Sequence, residues 1–473
     1  MDNPNRNRKF VQTIQQDPKL FVDQILGCSL WQRQKDIIES VAKNRRTTVR
    51  SSHGIGKSYI AARTALWFLY SHPDSKVITT APSFRQVEDI LWREMRVAHT
   101  KAKYELGGKM LQTTLNLDND WFALGLSTDQ PDRFQGFHAV DILLIIDEAA
   151  GVKEDIFNAS EGIVSSDHSR VLYIGNPTNL SGAFYSSFKL ENWNKIHISA
   201  FDTPNFTTFG ITLDDIRANT WLAKITSELP APYLVSPEWV YDKYLSWGES
   251  NPMWESRVLG NFPQQGEDTL VPLIKIEESI RRQLENKPED VEVIGVDVAR
   301  FGSDKTIFAH RKGSKLTEMK EFSHMDLMAT AQALNTYMGM HPMASVNIDE
   351  IGVGAGLVDR IKQMNPTKNI QGVNVGNPSK NNEMFINIRA EAYWALRDRF
   401  VNGDIQLLDD DLLMAELASI KYKFTPRGQI QIESKDDMKK RGMHSPDKSD
   451  ALMLAFMVEK RKPNILQYID TLK

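Results

Sequence analysis

The sequence has little of several features that would assign it to a specialised class of protein. Of its 473 residues only Cys28 is a cysteine, which excludes an internal disulfide and a cysteine-ligated zinc site. No apolar run approaches the ~20 residues that cross a bilayer, so we expect no membrane association. The polar, basic start MDNPNRNRKF lacks the apolar segment of a secretory signal. These absences favour an intracellular protein.

There is also no excess of positive charge. The chain carries 57 Lys and Arg against 61 Asp and Glu, a net charge of -4 at pH 7. This balance argues against a dedicated nucleic-acid coat, but it allows a protein that grips DNA locally and releases it, because only the charge of the contact surface matters. The length exceeds one ordinary hydrophobic core and predicts two or three domains.

Buried strands and helices alternate along the first half of the chain. Strands are predicted at 47–51, 76–82, 141–150 and 169–179, with helices at 58–70 and 83–100, which indicates a parallel, helix-flanked sheet. Beyond residue 248 the chain becomes rich in Gly, Pro and polar residues, and a second set of strands begins at 291. We expect an α/β protein with a domain over 1–262 that starts with a helical segment, a linker over 263–288, a second domain over 289–460 and a tail over 461–473.

The stretch VRSSHGIGKSYIAA (49–62) resembles a phosphate-binding loop whose first glycine is replaced by serine. It lies between a predicted strand and a predicted helix, which is the context that the G-x-x-x-x-G-K-[ST] motif requires. Lys57 would neutralise the β- and γ-phosphates, and the Ser58 hydroxyl would bind Mg²⁺. By itself the motif fits a surface turn before a helix equally well. The candidate nucleotide-binding residues of the loop are Arg50, Ser51, Ser52, His53, Gly54, Ile55, Gly56, Lys57 and Ser58.

A second motif favours the nucleotide-binding interpretation. ILLIIDEA is an apolar strand that delivers Asp147 and Glu148 at its carboxyl end. In P-loop ATPases the first such carboxylate holds Mg²⁺ and the second activates the attacking water. Arg50 and Arg133 are candidates for stabilising the transferred phosphoryl group, although Arg133 is equally well explained as a surface arginine. Gln32 is a candidate for reading adenine.

A second carboxylate site is predicted in the C-terminal half. VIGVDVARFGSDKT places Asp297 among buried β-branched residues, where a lone carboxylate is costly unless it is paired or binds a cation. Asp349 ends another apolar strand, and Asp447 and Asp450 begin an apolar helix. Such carboxylates could converge on two Mg²⁺ or Mn²⁺ ions that stabilise the attacking water and the leaving oxygen of a phosphodiester.

Simpler explanations exist for some of these residues. Asp447 is well explained as a helix N-cap, Asp304 as a turn residue and Glu350 as a solvated side chain. The neighbouring basic run fits either a DNA backbone contact or a solvated loop. It consists of Lys435, Lys439, Lys440 and Arg441.

These motifs, taken in order, resemble the large terminase subunit of tailed bacteriophages. The resemblance covers nearly the whole chain and rests on RSSHGIGKS, LLIIDEAA, YIGNPTN, VIGVDVARFGSDKT, NIDEIGVGAG, NIRAEAYWALRDRF and SPDKSDALMLAF. It implies an N-terminal ASCE-type (RecA-like) P-loop ATPase domain that drives DNA translocation, followed by an RNase H-like nuclease domain that cuts concatemeric DNA.

The resemblance also implies roles for particular residues and partners. Terminases often carry a modified phosphate loop with a basic residue near its start, which accounts for Arg50 and Ser51. Asn176 and Thr178 in YIGNPTN match a coupling motif that senses the γ-phosphate. The nuclease acids would be Asp297, Asp349 and one of Asp447 or Asp450.

The family's arginine finger often precedes a glycine, but here Gln135 stands before Gly136 and Arg133 lies two residues earlier. The implied cofactors are ATP and Mg²⁺, with Mn²⁺ as an alternative in the nuclease site. The implied partners are double-stranded DNA, a small terminase subunit, the portal protein of the procapsid and further copies of the chain in a ring. The place of action would be the host cytoplasm and, transiently, the portal.

Two other functions remain as alternatives. A helicase–nuclease of DNA repair or phage defence would need a second RecA-like domain, and the chain from 180 to 290 lacks a second strong set of buried strands. A non-enzymatic capsid or portal-associated protein would not need intact Lys57, Glu148 and Asp297.

Overall fold

The computed structural model describes residues 11–127, 134, 136–164, 166–263, 268–299, 305–425 and 427–457. The chain divides into two compact units, Met1–Gln264 and Gln265–Lys473. Arg133, Gln135, Asp304 and the predicted tail lie outside the described residues. Within the described part, no helix combines the length and the hydropathy needed to span a bilayer.

The first unit is built on an eight-stranded sheet. Its strands follow the order β3-β4-β5-β2-β6-β7-β1-β8. The pairs from β5 to β8 are parallel, while β3 and β4 join by antiparallel pairing. The strands are β1 Arg46–Ser51, β2 Lys76–Thr80, β3 Lys109–Met110, β4 Thr114–Asn116, β5 Phe122–Gly125, β6 Ile142–Asp147, β7 Arg170–Gly175 and β8 Asn194–Ile198.

Sequence composition explains the central position of β6. All six of its residues, ILLIID, are buried, as expected for a strand that helices cover on both faces of a parallel sheet. One strand, β7, separates β6 from β1, which runs into the glycine-containing loop. This strand order is that of an ASCE-type P-loop ATPase domain, as predicted.

Helices cover both faces of this sheet. The helix Lys57–Ser71 follows the glycine-containing loop, and twelve of its residues are buried, so it lies inside the unit rather than on its surface. Residues 86–100 form one continuous helical stretch that begins as a π-helix, Gln86–Trp92. The other helical segments are Pro18–Leu20, Phe21–Ile25, Gln32–Lys43, Arg93–Thr100, Ala149–Gly151, Glu154–Glu161, Gly182–Ser187, Ala200–Asp202, Pro204–Thr207, Leu213–Arg217, Trp221–Lys224, Pro237–Trp247 and Pro252–Arg257.

The second unit contains a five-stranded sheet in the order β11-β10-β9-β12-β13. Strands β9, β10 and β11 pair antiparallel, whereas β12 and β13 add to β9 in parallel. This topology is RNase H-like, as predicted. A small hairpin, β14–β15, lies apart from the main sheet. The strands are β9 Glu292–Asp297, β10 Thr306–Lys312, β11 Lys315–Phe322, β12 Ser345–Asp349, β13 Ile370–Val373, β14 Tyr422–Phe424 and β15 Ile430–Ile432.

The helix Asp447–Phe456 lies against β9 because Gly295 leaves room for it. A Cβ atom at Gly295 would overlap the carbonyl oxygen of Ala451 and the backbone nitrogen of Ala455. The close approach places the first turn of this helix beside the carboxyl end of β9. The other helices of the unit are Leu273–Arg281, Leu327–Met340, Gly354–Met364, Ile388–Asn402, Asp411–Ser419 and Lys435–Lys440.

Two details differ from the sequence-based expectations. The segment predicted as a linker, 263–288, contains the helix Leu273–Arg281, which packs on helices of the second unit because Leu273 and Ile276 form a buried face. Asp297 is the last residue of its strand rather than a mid-strand residue. At that position the Asp297 carboxylate lies at the carboxyl end of β9, at the edge of the sheet.

Candidate active sites

The glycine-containing loop connects β1 to the helix Lys57–Ser71. Gly54 and Gly56 adopt positive φ angles of 67° and 79°, a conformation that side chains with a Cβ rarely adopt. A Cβ on Gly56 would lie 2.7 Å from the Gln34 amide nitrogen. Val235 donates its backbone N–H to the Gly54 carbonyl at 2.9 Å and so fixes the outer side of the loop. The loop is therefore a fixed turn before a helix N-terminus, a geometry that suits an anion.

Two backbone donors of the loop have protein partners. The N–H of Ser52 donates to the Ile198 carbonyl at 2.8 Å, and that of His53 donates to the Arg257 carbonyl at 2.7 Å. These two N–H groups therefore bond to the end of β8 and to the end of the helix Pro252–Arg257, and the bonds anchor the loop.

Lys57 and Ser58 meet the acidic pair that ends β6. The Ser58 hydroxyl donates to Asp147 Oδ2 at 2.6 Å. The Lys57 ammonium, buried to 7% exposure, lies 3.5 Å from Glu148 Oε1 and donates to Asn176 Oδ1 at 3.0 Å. Burial and the adjacent Glu148 raise the pKa of Asp147 to about 6. A buried carboxylate with an adjacent acid and a hydroxyl fits a divalent cation, which would offset both negative charges.

Asn176 links the loop to the neighbouring strand. It follows β7 directly, accepts the Lys57 bond and donates its amide to the Ser51 carbonyl at 2.7 Å. Thr178 is buried two residues further on. The predicted coupling motif is therefore in direct contact with Lys57 and with the end of β1.

Glu148 has an unusual backbone conformation. It adopts φ 47° and ψ 45°, in the left-handed region, although it is not a glycine. Its N–H donates to Asp147 Oδ1 at 3.0 Å, which holds this conformation. Backbone strain of this kind, of order 1–3 kcal/mol, occurs where a side chain must be aimed. Here it turns the carboxylate towards Lys57.

Two predicted nucleotide-site residues are placed elsewhere. The Arg50 guanidinium lies over the rings of Phe188 and Phe262, at 5.8 and 5.7 Å, because its side chain leaves the opposite face of β1 from Ser51. Gln32 is exposed and donates to Asp36. The glutamine that reaches the loop is Gln34, which is buried and donates to the Ile55 carbonyl at 3.3 Å. The helical spacing of Gln34 with Ile37 and Ile38 could have identified it as the inward-facing glutamine.

The four predicted nuclease acids come from three elements of the second unit. Asp297 ends β9, Asp349 ends β12, and Asp447 and Asp450 lie three residues apart in the first turn of one helix. Asp297, Asp447 and Asp450 are buried, and their charges interact with one another. The structure therefore brings these residues to one edge of the sheet. Asp447 is the first residue of its helix rather than its N-cap, which is Pro446.

Lys435 lies in the middle of this cluster. Its ammonium is 2.9 Å from Asp450 Oδ2, 3.6 Å from Asp297 Oδ2 and 3.9 Å from Asp447 Oδ1. Burial alone would lower the pKa of Lys435, but the carboxylates raise it above its ordinary value. A cation held by three carboxylates shows that the cluster suits positive charge. The sequence alone did not separate Lys435 from its basic neighbours, since all precede the same helix.

The carboxylates of the cluster differ in their ionisation. Burial raises the pKa of Asp297 well above its ordinary value, and it raises that of Asp349 as well. Burial would do the same to Asp450, but Arg389 and Lys435 hold its pKa below the ordinary value. The neighbouring cations therefore favour the ionised form of Asp450, whereas burial disfavours that of Asp297.

Three further residues complete the second site. Tyr393 donates its hydroxyl to Asp450 Oδ1 at 2.6 Å, and Arg389 contacts the same oxygen at 3.3 Å. Both lie one helical turn apart in NIRAEAYWALRDRF, a motif for which the sequence indicated no role. The buried Glu416 accepts the Ser449 N–H at 2.8 Å and so holds the start of the helix Asp447–Phe456.

The two units thus define a class of protein: an ASCE-type ATPase domain joined to an RNase H-like domain with a carboxylate cluster. Comparisons with known proteins agree with this class. Residues 50–256 match the family described as terminase large subunit, T4likevirus-type, N-terminal. A probable terminase large subunit of Enterobacteria phage P7 is 24% identical over 96% of this chain and 93% of its own length.

Solved structures with similar chains are also large terminases. That of the HK97 bacteriophage covers 90% of this chain and 95% of its own, at 13% identity and a TM-score of 0.37. The nuclease domain of the large terminase subunit of bacterial virus Sf6 covers 40% of this chain and 99% of its own, at 23% identity and a TM-score of 0.35. The sequence matches therefore agree with the resemblance to terminase large subunits that the motifs predicted: one covers residues 50–256, and the other covers nearly the whole chain.

Proposed function

We propose that this chain is the motor and nuclease of a viral DNA-packaging machine. The first unit would hydrolyse ATP to move double-stranded DNA into a procapsid, and the second would cut concatemeric DNA with divalent metal ions. The observation that carries the proposal is the convergence of Lys57, Ser58, Asp147, Glu148 and Asn176 at one end of the first sheet. These residues are bonded to one another where a nucleotide phosphate and its cation would lie.

In the first site each side chain has a distinct task. Residues 54–58 of the loop would bind the phosphates through backbone N–H groups and the Lys57 ammonium. Ser58 and Asp147 would hold Mg²⁺, which supplies charge neutralisation of the phosphoryl oxygens. Glu148 would orient the attacking water and accept its proton as the bond to the γ-phosphorus forms and ADP leaves. Loss of the γ-phosphate would release Lys57 towards Asn176, and this exchange would connect hydrolysis to a movement of β7.

The arginine that stabilises the transferred phosphoryl group is a separate proposal. Arg50 belongs to the same loop, but its guanidinium packs on Phe188 and Phe262, so it would need to leave these rings to act. Arg133 is the second candidate, because in the sequence it lies between the loop and the Asp147 strand. The two single variants to alanine, assayed for ATP hydrolysis with unchanged nucleotide affinity, would distinguish them.

In the second site the carboxylates would hold two Mg²⁺ or Mn²⁺ ions. Asp297 and Asp450, which share the Lys435 ammonium, are proposed as the central ligands, with Asp349 and Asp447 beside them. The ions would supply an activated water and charge stabilisation for the leaving oxygen. Arg389 and Tyr393 would orient Asp450. Both Asp447 and Asp450 face the cluster, so the proposal assigns metal ligation to both.

The proposed ATPase activity is tested with two variants of the full chain and one control. Lys57→Ala and Glu148→Gln should each lower the ATPase rate by about 100-fold or more, the contribution of a positioned general base or phosphate ligand. Lys43→Ala, an exposed lysine on a neighbouring helix, should not change the rate. Unchanged rates in Lys57→Ala and Glu148→Gln would overturn the assignment of the first site.

The nuclease assignment is tested independently of the ATPase assignment. Cleavage of a supercoiled plasmid with Mg²⁺ or Mn²⁺ should vanish in Asp297→Ala and persist in Asp436→Asn, an exposed carboxylate next to Lys435. Cleavage that survives Asp297→Ala would place the nuclease site elsewhere.

The partners follow from the packaging role. We propose that several copies of the chain assemble on the portal protein of the procapsid, in the cytoplasm of the host. A small terminase subunit would select the DNA. The net charge of -4 suits a motor that must release DNA in each cycle. A helicase–nuclease is less well supported, because the second sheet carries the antiparallel strands β10 and β11 rather than a second parallel RecA-like core.

A further inference from the structure

A second cluster of possible metal ligands lies in the second unit, away from the four aspartates. It consists of Glu292, His310 and His341, whose ligand atoms all lie within 4.8 Å of one another. Glu292 is the first residue of β9, whereas Asp297 is the last. Five residues of strand separate them, or ~16 Å at ~3.3 Å per residue. The cluster is therefore a different place on the sheet from the proposed nuclease site.

His310 contacts Thr317 through its Nδ1 nitrogen. The Thr317 hydroxyl lies 2.5 Å from His310 Nδ1 and 3.1 Å from the His310 carbonyl oxygen. When the hydroxyl donates to the carbonyl, Nδ1 donates to the hydroxyl, and the lone pair of the neutral ring is on Nε2. A hydrogen bond of this kind to the other ring nitrogen is what orients a metal-ligating histidine.

The lone pair on His310 Nε2 has no hydrogen-bond partner among the described residues, and the atom is buried. Nε2 faces Glu292 Oε2 at 3.6 Å, and with the lone pair on Nε2 both facing atoms are hydrogen-bond acceptors. A cation between the two atoms resolves the conflict.

The distances suit a transition-metal ion. Two ligands of a tetrahedral Zn²⁺ at ~2.1 Å from the metal lie ~3.4 Å apart, close to the His310–Glu292 separation. Glu292 Oε1 is already bound by Lys312 at 3.0 Å, which leaves Oε2 for the ion. The His341 ring stacks on His310 with centroids 3.9 Å apart, and its side chain is 21% exposed, so it can turn towards the ion and provides access from solvent.

We propose that Glu292, His310 and His341 form a binding site for a zinc-like transition-metal ion, distinct from the nuclease metals. Imidazole nitrogens favour Zn²⁺, Co²⁺ or Ni²⁺, whereas Mg²⁺ prefers the oxygen ligands of the aspartate cluster. Water or Glu318, whose Oε2 lies 3.7 Å from His341 Nε2, would complete the coordination. The ion would tie β9, β10 and the end of the helix Leu327–Met340 together, so its role would be structural.

The test is a Zn²⁺ titration of the metal-free, nucleotide-free full chain against a chromophoric competitor. It is made in an Asp297→Asn/Asp450→Asn background so that the aspartate cluster does not contribute. One Zn²⁺ per chain should bind and should raise the unfolding temperature, because an ion that binds only the folded state stabilises it. Co²⁺ should give the visible absorption of a tetrahedral, nitrogen-containing site.

Variants on the half-exposed side of the site avoid disturbing the core. His341→Gln and Glu292→Gln should remove the ion, and Thr317→Val should weaken binding by about 10–100-fold, as expected for a residue that orients a metal ligand through a hydrogen bond. His324→Gln, an exposed histidine of the same unit, is the control and should bind normally. Absence of stoichiometric Zn²⁺ in the Asp297→Asn/Asp450→Asn background, or its retention in both His341→Gln and Glu292→Gln, would overturn the proposal.

Discussion

Lys435 offers the sharpest test of the proposed nuclease site. Its ammonium lies 2.9, 3.6 and 3.9 Å from oxygens of Asp450, Asp297 and Asp447. In this arrangement it occupies the space that a divalent ion would need, so metal binding must displace it. Replacing Lys435 by alanine removes the competing charge and leaves the carboxylates in place. We therefore expect Lys435→Ala to bind Mn²⁺ more tightly than the wild type.

The magnitude follows from the closest of these contacts. Two unit charges 2.9 Å apart interact by about 1.4 kcal/mol in water and by about 6 kcal/mol at an effective dielectric constant of 20. The side chain of Lys435 is 39% exposed, so solvent screens the interaction and the lower part of this range applies. A net gain of roughly 1–3 kcal/mol corresponds to about 5- to 150-fold tighter Mn²⁺ binding.

The assay is a calorimetric Mn²⁺ titration of the nucleotide-free full chain at low ionic strength. Lys439→Ala, which removes an exposed lysine of the same helix, controls for net charge and should bind as the wild type does. Without metal, Lys435→Ala should unfold at a lower temperature, since buried carboxylates lose their counter-ion, and Mn²⁺ should restore it. A folded Lys435→Ala protein with unchanged or weaker Mn²⁺ affinity would refute the view that the ammonium competes with the metal.

Three further outcomes are expected. Burial raises the pKa of Asp147 to about 6, so Mg²⁺-dependent nucleotide binding should weaken as the pH drops through 6. A fluorescence titration at several pH values measures this, and a loss of binding only near pH 4 would contradict it. Gly295→Ala should abolish plasmid cleavage but spare the ATPase, because the new Cβ overlaps the Ala451 carbonyl; normal cleavage would be contrary evidence. Gln34→Ala should lower the unfolding free energy by about 1–3 kcal/mol in denaturant titrations, because it removes a buried hydrogen bond to the loop. Gln32→Ala should not lower it, and equal effects of the two variants would contradict the assignment of Gln34 as the glutamine that holds the loop.

Local patterns in the sequence were sufficient to predict those structural elements that depend on residues close together in the chain. The strand-loop-helix around Gly54 and Gly56, the buried strand before Asp147 and the alternation of strands and helices predicted β1, β2, β6 and β7 of the first sheet and the start of the second set of strands, but not β3, β4, β5 or β8. The family motifs extended this prediction to the RNase H-like second fold. These features are local because hydrophobic periodicity and glycine conformation act over a few residues.

Roles that depend on the direction of a side chain were harder to predict from the sequence. Gln32 and Gln34 are two residues apart, but opposite exposure puts only Gln34 against the loop. Arg50 belongs to the loop motif, yet strand alternation turns its side chain onto Phe188 and Phe262. The motif pattern identifies positions in the chain, whereas the face of the strand or helix decides which group each side chain reaches.

By itself, then, the sequence determined the class of each domain and the acids that end its strands, because strand ends and helix starts carry recognisable residues. Only the tertiary structure decided which cations balance those acids. Lys435 comes from one segment of the chain and Arg389 and Tyr393 from another, and they meet Asp450 only after the second unit has packed. His310 and Glu292 likewise become a candidate metal site only through the pairing of β9 with β10. Contacts between distant segments depend on packing geometry, which no local pattern specifies.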